Sequence, residues 1–389
     1  MTGFQSVTAV TISGAFVFGM LLVLLESLRT VLAKRLNLSE ARVDWLVAAL
    51  NLALIPMMPV SGILCDELGV KSVFLVGSLI TGTALFALAV SGTGLRTLGA
   101  LLLAGVGAAC LSTGSSVLMS KAFFPDNEPA SQNLGNVFFG LGALVTPTLV
   151  TLLFRHLDYR RAVGFVAVLC LLPAFIAAFT QSEFATPGGS VNLAALLRDP
   201  ILWLAGFVLL LYAPLEGSLG TWATQYLIDR GFRARAATWL LSGFWMMFLA
   251  ARLGTAVLQE QGTLPKTYAA AWLNVVLALA AAVFLGNMAG ARTRLSGAMG
   301  LLLVGAFFGP IFPTLVGMLF THFPHARGTA FGAMFAIGAV GNLVLPPLIG
   351  IHARRTTVQR AMVIPMVIAL LLALATLVFG LCLPLFGDQ

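Results

Sequence analysis

Twelve long apolar stretches, separated by short polar segments, follow one another along the chain. Each stretch is long enough for an α-helix to cross a bilayer, which takes ~20 residues. None of them alternates polar and apolar positions as a transmembrane β-strand does. The pattern predicts an all-α membrane protein with twelve transmembrane helices, here called spans 1 to 12. The predicted windows are residues 9–35, 43–64, 72–92, 95–121, 130–154, 161–180, 200–228, 236–257, 267–287, 295–320, 328–351 and 361–385.

The composition agrees with this pattern and excludes several classes of function. Of the 389 residues, 59% are hydrophobic and 9% are charged, too few charges for the surface of a water-soluble domain. The four cysteines show no CxxC spacing, the four histidines form no metal-ligand pattern, and no nucleotide-binding glycine loop is present. We therefore expect no metal, no cofactor, no nucleic-acid partner and no ATP-driven pump. An enzyme is not expected either, because no nucleophile–base–orienter set is present.

The chain reads as two related halves. The longest polar connection, residues 181–199, predicts a cytoplasmic linker between an N-terminal six-helix bundle (1–180) and a C-terminal one (200–389). Phe124-Pro125 and Phe323-Pro324 are each followed by similarly spaced glycines, a phenylalanine and a proline, at offsets of 196 to 199 residues. Two pseudo-symmetric six-helix bundles of this kind are typical of alternating-access carriers.

Ionisable residues inside predicted spans are the first candidates for function, since a charge at mid-membrane costs several kcal/mol. Glu26 and Glu216 are the acids so placed, and Arg29 and Arg252 are the basic residues. A carboxyl group withdrawn from water can bind and release a proton, so we predict proton or substrate binding at these positions. Two structural alternatives stay open: Glu26 pairs with Arg29 at i,i+3, or Glu216 is hydrogen-bonded to neighbouring helices.

Polar and aromatic side chains in otherwise apolar spans predict a substrate cavity. Amides supply donors and acceptors for a hydroxylated ligand, and ring faces stack on its C–H groups. Each residue alone is more typical of a helix–helix contact, but as a set they fit a central cavity better. Prolines within the spans predict interruptions that act as hinges or kinks, at Pro147, Pro214, Pro310, Pro313 and Pro346. The cavity candidates are Asn51, Ser112, Asn136, Tyr212, Trp222, Gln225, Trp245 and Asn342, with Asn133, Ser115 and Ser116 as further polar positions.

The segment between spans 2 and 3 resembles a known signature. Gly62, Asp66, Gly69 and Lys71 fit the pattern G-x3-D-x2-G-x-K/R of the major facilitator superfamily. Glycines at these positions permit close helix approach and a tight turn, and the aspartate can cap a helix and pair with a basic group. The resemblance implies the twelve-helix major facilitator fold, with these four residues as a conformational motif.

Further stretches resemble the fucose/glucose/galactose–proton symporters and the related sodium-dependent glucose transporters. This group carries a second proton-linked acid after a Cys-Leu pair in span 4, where the chain instead has Ser112. The coupling ion, a proton or sodium, therefore stays open, as does uncoupled transport. The stretches that carry the resemblance are Leu25-Glu26 with Ser39, Tyr212 to Trp222, Ala251-Arg252-Leu253-Gly254, and Phe312-Pro313-Thr314.

The resemblance implies a secondary active transporter that moves a small polar solute, a sugar or a sugar-like compound, by alternating access. The alternative is an exporter of amphipathic compounds or an organic-anion carrier of the monocarboxylate type, with Arg252 as the counter-charge. A non-transporting scaffold or sensor is the third class, which needs no acids within the membrane. We expect a monomer in the lipid bilayer that binds a small-molecule substrate.

The orientation is contested by the loop charges. The resemblance implies a bacterial cytoplasmic (inner) membrane and cytoplasmic termini. However, loops 1–2, 3–4, 5–6, 7–8, 9–10 and 11–12 hold 15 lysines and arginines, against five on the opposite face. The positive-inside rule would place the termini outside. We predict cytoplasmic termini, with a basic external face that gathers anionic substrates or suits an acidic exterior.

Overall fold

The computed structural model describes residues 3–180 and 191–386 of the chain. Twelve helices in these ranges are long and apolar enough to cross a membrane, and the described residues contain no strand. The predicted all-α fold of twelve spans is therefore confirmed. Spans 1 to 6 are Gly3–Leu36, Glu40–Leu68, Val70–Val90, Gly94–Ala122, Glu128–His156 and Tyr159–Ala178. Spans 7, 8, 9 and 11 are Pro200–Asp229, Ala234–Glu260, Ala270–Gly290 and Arg327–Arg355.

Two spans consist of two helical pieces each. Span 10 is formed by Arg294–Phe308 and Ile311–His322, and span 12 by Val358–Ala361 and Val363–Phe386. The interruption of span 10 falls at Gly309-Pro310, as predicted for Pro310. A helix continues through Pro147, Pro214 and Pro346, so the prediction that these prolines break their helices is wrong, while kinks at these positions stay a prediction. Pro313 lies in the first turn of the second piece of span 10, directly after the interruption. In a packed bundle, neighbouring helices and side chains satisfy the carbonyls that a proline leaves free.

Packing divides the chain into two compact units. Unit 1 comprises the described parts of Met1–Pro125, Gly135–Val191 and His325–Gly332. Unit 2 comprises those of Asp126–Leu134, Asn192–Pro324 and Ala333–Gln389. The first turns of span 5 thus pack in unit 2, and the first turns of span 11 pack in unit 1.

The predicted linker is described only in its second part. Residues 181–190 lie outside the described residues. The rest contains a short helix, Leu193–Arg198, whose first turn is capped by Asn192, since the Asn192 Oδ1 accepts from the Ala195 N–H at 3.1 Å.

Span 4 lies at the centre of unit 1. It packs on spans 1, 2 and 3, and its side chains at Ala108, Leu111 and Thr113 are fully buried. Small residues permit this position: a Cβ at Gly105 would overlap the Leu50 carbonyl oxygen of span 2, and one at Gly107 would overlap the Thr81 hydroxyl of span 3. Close backbone approach of this kind is how transmembrane helices gain packing energy in lipid.

In unit 2, the packing of span 10 on span 8 positions the candidate site. A Cβ at Gly305 would lie 2.5 Å from the carbonyl oxygen of Phe244, and one at Gly309 would overlap that of Phe248. These two glycines, one helical turn apart, bring the interruption of span 10 against the middle of span 8. Arg252 follows Phe248 by one turn and therefore faces the interruption.

Candidate functional site

Span 7 carries a polar, solvent-accessible face. Glu216 lies near the middle of the helix and is half-buried, while Gly217, Thr221 and Gln225 are exposed at successive turns. The Gln225 amide donates to the Asp229 carboxylate at 2.7 Å. Since residues four apart share a helix face, these positions form one stripe, here called the span 7 polar face.

Glu216 lies among two further polar residues of unit 2. Its carboxyl group interacts with the hydroxyl of Tyr212, one turn earlier, and with the guanidinium of Arg252 in span 8. Arg252 is only 2% exposed, and its guanidinium lies 4.3 Å from the ring centroid of Phe248. Glu216 is thus the accessible member of a group whose other two members are buried.

The buried members of this group hold the interruption of span 10. The Tyr212 hydroxyl donates to the Phe308 carbonyl oxygen at 2.9 Å, and the Arg252 Nε donates to that of Gly309 at 2.8 Å. The Gly309 carbonyl needs such a donor, because Pro313 has no N–H to offer it within the helix. This placement differs from the prediction, in which Tyr212 lines the cavity and Arg252 binds a proton or substrate.

A third buried donor completes the arrangement. The Asn274 amide of span 9 donates to the Ile311 carbonyl oxygen at 3.0 Å. Spans 7, 8 and 9 therefore each contribute one side chain to the interruption. Asn274 was not among the predicted residues, although an isolated amide in an apolar span was a signal that the sequence contained.

Aromatic residues and an amide border the span 7 polar face. Trp245 of span 8 packs edge-on against Phe244 and Phe248, at centroid distances of 4.9 and 5.4 Å, and its ring would lie 3.5 Å from a Cβ at Gly220. The exposed Asn342 of span 11 places its Oδ1 3.3 Å from the Cβ position of Gly217. Both residues thus lie beside the stripe.

Trp222 points towards span 11 instead. It is half-buried, and its ring would lie 3.0 Å from a Cβ at Gly350. Its indole N–H is shielded from solvent and has no acceptor among the described residues. A buried donor left in this state is costly, so Trp222 has one hydrogen bond to offer to a ligand.

The candidates of unit 1 are less tightly grouped. Glu26 is exposed and has no hydrogen-bond or ion-pair partner in the described chain. The alternative of an ion pair between Glu26 and Arg29 is wrong, because Arg29 pairs with Asp44 of span 2 at 2.6 Å. Asn51 is exposed on span 2, whereas Ser112 of span 4 is buried.

Asn136 of span 5 is also buried, and its Nδ2 lies 3.9 Å from the Met119 sulfur. Hydrogen bonds to neighbouring helices are the ordinary role of such residues. The described contacts therefore do not assemble the unit 1 candidates into one cluster.

The Gly62–Lys71 motif holds the start of span 11. The Asp66 carboxylate accepts from the Gly328 N–H at 3.0 Å and, at 2.7 Å each, from the N–H and hydroxyl of Thr329. A Cβ at Gly62 would overlap the Gly328 carbonyl oxygen. Aspartate at a helix N-terminus accepts from free N–H groups and is favoured by the helix dipole.

The other two motif residues form the turn between spans 2 and 3. Gly69 adopts φ +88° between the two helices, a left-handed conformation that glycine tolerates best. The Lys71 ammonium donates to the Thr180 carbonyl oxygen at 2.8 Å. The partners of Asp66, Gly328 and Thr329, were not predicted.

The chain is similar to known membrane transporters along most of its length. It is 22% identical over 364 residues to an uncharacterised transporter of the same superfamily type, YfkL of Bacillus subtilis, covering 90% of each chain. The outward conformation of FucP, the fucose:proton symporter of E. coli, is 16% identical with a TM-score of 0.79, covering 97% of this chain and 99% of that one. The human organic anion transporter MFSD10 is 16% identical with a TM-score of 0.76, covering 97% and 100%.

The two solved structures show that the fold is shared, and at these identities they show the fold alone. The family model of the Major Facilitator Superfamily matches residues 7–346, which include the motif at Asp66 and both acids of the spans. The predicted resemblance to this superfamily is therefore confirmed, and the chain belongs to the Major Facilitator Superfamily of transporters.

Proposed function

We propose that this transporter is a secondary active carrier of a small polar solute, a sugar or a sugar-like compound, which it moves by alternating access. The observation that carries the proposal is the accessible Glu216 in the middle of span 7, with Asn342 beside it. Such polar groups facing lipid would each cost several kcal/mol. This cost is avoided if the span 7 polar face lines an aqueous path for the solute.

The chemistry of this face suits a hydroxylated ligand. Glu216 accepts hydrogen bonds, Asn342 and Gln225 both donate and accept, and the free indole N–H of Trp222 donates. The ring of Trp245 offers a flat apolar surface near Gly220 for the C–H face of a ring-shaped solute. The adjacent Tyr212 and Arg252 act indirectly, because they fix the geometry of span 10.

The organic-anion alternative has less support from this geometry. It requires Arg252 as counter-charge, but this side chain is buried, stacked on Phe248 and bonded to the Gly309 carbonyl. An anion that displaced these contacts would leave a buried carbonyl without a donor, which costs about 1 to 3 kcal/mol.

We further propose proton coupling through an accessible span acid. Glu216 and Glu26 are both solvent-accessible, so either carboxyl can exchange a proton with water. Sodium coupling is the competing outcome. The carrier would work as a monomer that uses a coupling ion and no other cofactor.

The test begins with ligand classes. Purified protein is screened by thermal shift against hexoses, monocarboxylates and amphipathic amines at two pH values, since a ligand that binds the folded state raises its apparent stability. Uptake of the best ligand is then measured in proteoliposomes with an imposed proton or sodium gradient. Glu216→Gln is expected to lower uptake at least about tenfold, because the charged acceptor for the hydroxyl groups of the solute is lost and charge-assisted hydrogen bonds are the stronger ones.

The matched control is Glu67→Gln, an exposed acid next to Asp66, which should leave uptake unchanged. Stabilisation by monocarboxylates or amphipaths alone, or full hexose uptake in Glu216→Gln, would refute the sugar proposal. Uptake driven by sodium and indifferent to the proton gradient would refute proton coupling.

We also propose a bacterial cytoplasmic membrane with both termini in the cytoplasm. A reporter that is active only in the cytoplasm, fused after Gln389, should then be active in cells. Activity restricted to a periplasmic reporter at the same position would reverse the orientation, in agreement with the loop charges.

A further inference from the structure

One end of unit 2 carries a dense set of arginines. Successive spans alternate in direction, so loops 7–8, 9–10 and 11–12 lie at the same end. These loops contain one acid, Asp229, and no lysine. The eight arginines, here called the arginine surface, are Arg230, Arg233, Arg235, Arg292, Arg294, Arg354, Arg355 and Arg360.

Direct contacts join the three loops. The Gln359 amide donates to the carbonyl oxygens of Ala289 and Ala291, at 3.2 and 2.9 Å, and its Oε1 accepts from the Arg230 Nη1 at 2.8 Å. The Arg294 guanidinium lies 5.9 Å from the ring centroid of Phe232. The arginines therefore belong to one continuous surface rather than to three separate loops.

Within residues 3–180 and 191–386, no acidic side chain neutralises the positive charge of this surface. None of the eight arginines forms an ion pair in the described chain, and Asp229 is bound by the Gln225 amide. Seven of them are exposed. Arg230 is half-buried, and its Nε–H is shielded from solvent without an acceptor among the described residues. The surface thus offers free guanidinium donors.

Two long helices begin here with the unfavourable sign of charge. Spans 8 and 10 start at Ala234 and Arg294 and have no acid in their first turns. Arg235 and Arg294 occupy those turns instead. Because a helix N-terminus is itself positive, cations are disfavoured there and an anion is favoured. A bound anion would relieve both repulsions.

Exposed apolar side chains place this surface at the membrane boundary. Trp239, in the second turn of span 8, is 68% exposed, and Leu295 and Ile351 flank the arginines of loops 9–10 and 11–12. Tryptophan is enriched at the level of the lipid headgroups. The phosphate group of a lipid lies at this depth in a bilayer, where it can meet the arginines.

We propose that the arginine surface binds the headgroup of an anionic phospholipid. Guanidinium groups suit this ligand, because their planar donors engage phosphate oxygens in pairs. Inorganic phosphate shares the chemistry, but it would not use the apolar side chains beside the arginines. The proposal is independent of the transported solute.

Loops 1–2, 3–4 and 5–6 of unit 1 provide an internal control. These loops carry seven lysines and arginines but also three acids, Glu40, Asp44 and Asp158. Asp158 pairs with Arg161, so part of this charge is neutralised, whereas Asp44 pairs with Arg29 of span 1, which is not one of the seven. Arg96, Arg155 and Arg160 remain exposed there and can be replaced as a matched set.

The experiment compares two triple variants of the full chain in detergent. R292Q/R294Q/R360Q removes part of the arginine surface, and R96Q/R155Q/R160Q removes the same number of charges from unit 1. Binding of short-chain phosphatidylglycerol, phosphatidylcholine and inorganic phosphate is measured by lipid-titrated thermal shift and native mass spectrometry. Since each basic residue near an anionic surface contributes about fivefold, the first variant should bind phosphatidylglycerol on the order of a hundredfold more weakly.

The control variant should change this affinity no more than about fivefold. Equal binding of phosphatidylcholine and phosphatidylglycerol by the unmodified protein would overturn the proposal, as would equal losses in the two variants. Phosphate binding as tight as phosphatidylglycerol binding would assign the surface to a soluble anion instead. R292K/R294K/R360K keeps the charge but lacks the paired donors, so its affinity should lie between those of the unmodified protein and the glutamine variant. An affinity equal to that of the unmodified protein, with the fold intact, would contradict recognition by guanidinium groups.

Discussion

Spans 5 and 11 begin after corresponding Phe-Pro sequences, but their first turns are capped in different ways. Span 5 is capped locally: the Asn127 Oδ1 accepts from the Ala130 N–H at 3.3 Å. At the corresponding position span 11 has Ala326, which has no side-chain acceptor. Its first N–H groups are satisfied by Asp66, 262 and 263 residues away.

The supporting contacts differ in charge as well. At span 11, a buried carboxylate receives three hydrogen bonds. At span 5, the Asn133 amide donates to the Thr314 hydroxyl at 2.9 Å and to the Gln259 Oε1 at 3.4 Å. Gln259 precedes Gly262 by three residues, as Asp66 precedes Gly69, and both glycines have positive φ. The two halves thus share a geometry, with the charged Asp66 as anchor in one and the neutral Gln259 in the other. Next to Gln259, the Glu260 carboxylate accepts a longer hydrogen bond from the Asn127 amide, at 3.4 Å.

The largest expected effect follows from removing the charged anchor. Asp66→Ala leaves two buried N–H groups and one hydroxyl without an acceptor, so we expect the free energy of unfolding to fall by about 3 kcal/mol. The measurement is reversible denaturation by SDS in mixed micelles. Glu67→Ala, at the exposed neighbouring acid, is the control and should lie within about 0.5 kcal/mol of the unmodified protein. Similar values for both variants would mean that Asp66 is not an anchor.

The close backbone approach at both helix starts gives the next effect. A Cβ at Gly62 would overlap the Gly328 carbonyl oxygen, and one at Gly317 would overlap the Pro129 Cα. Gly62→Ala and Gly317→Ala should each lower the free energy of unfolding by about 2 kcal/mol, the usual cost of overpacking. Gly254→Ala, where no neighbouring atom lies within 4 Å, should be neutral or slightly stabilising. If only one of these two substitutions lowered the free energy of unfolding, the starts of spans 5 and 11 would not be packed alike.

Removing the local cap should cost less than removing the distant one. Asn127→Ala removes the cap of span 5 and also the hydrogen bond that the Asn127 amide donates to the Glu260 carboxylate at 3.4 Å. The expected loss is about 1 kcal/mol, because the second bond is long and Glu260 is exposed. The exposed Asp126 next to Asn127 provides the control, Asp126→Ala. The same SDS titration measures both variants. If Asn127→Ala lowered the free energy of unfolding as much as Asp66→Ala does, the proposed difference between the starts of spans 5 and 11 would be wrong.

The smallest effect tests whether the caps are interchangeable. Ala326→Asn gives span 11 the cap residue of span 5, and it should change the stability of the unmodified protein by less than about 0.5 kcal/mol, because Asp66 already occupies the site. Combined with Asp66→Ala, it should recover about 1 kcal/mol. Strict additivity of the two substitutions would show that they act on different groups.

The sequence predicts the spans well because length and apolarity alone determine which helices fit a bilayer. It points to the region of Asp66 through the resemblance of Gly62, Asp66, Gly69 and Lys71 to the superfamily signature. It cannot identify Gly328 and Thr329 as the partners, since nothing local links residues more than 260 positions apart. The alanine at 326, where the repeat has Asn127, was the available sign that span 11 needs an external cap.

The candidate site shows the same limit. The importance of Glu216 and Arg252 follows from the cost of charge in lipid, but their neighbours depend on tertiary packing. Arg29 is paired with Asp44, an acid just beyond a loop, rather than with the nearer Glu26. Likewise, Pro313 predicts a free carbonyl at Gly309, because proline has no N–H to donate to it. Only the packing of span 8 shows that Arg252 donates to this carbonyl.

The interruption of span 10 has a consequence for protein engineering. Three carbonyls of that span receive donors from Tyr212, Arg252 and Asn274, which belong to three other spans. If span 10 were replaced alone by an uninterrupted helix from a relative, the three buried donor side chains of this protein would lose their carbonyl acceptors. A working chimera must therefore exchange spans 7 to 10 as a single cassette, and the boundaries for such a graft lie before Pro200 and after His322.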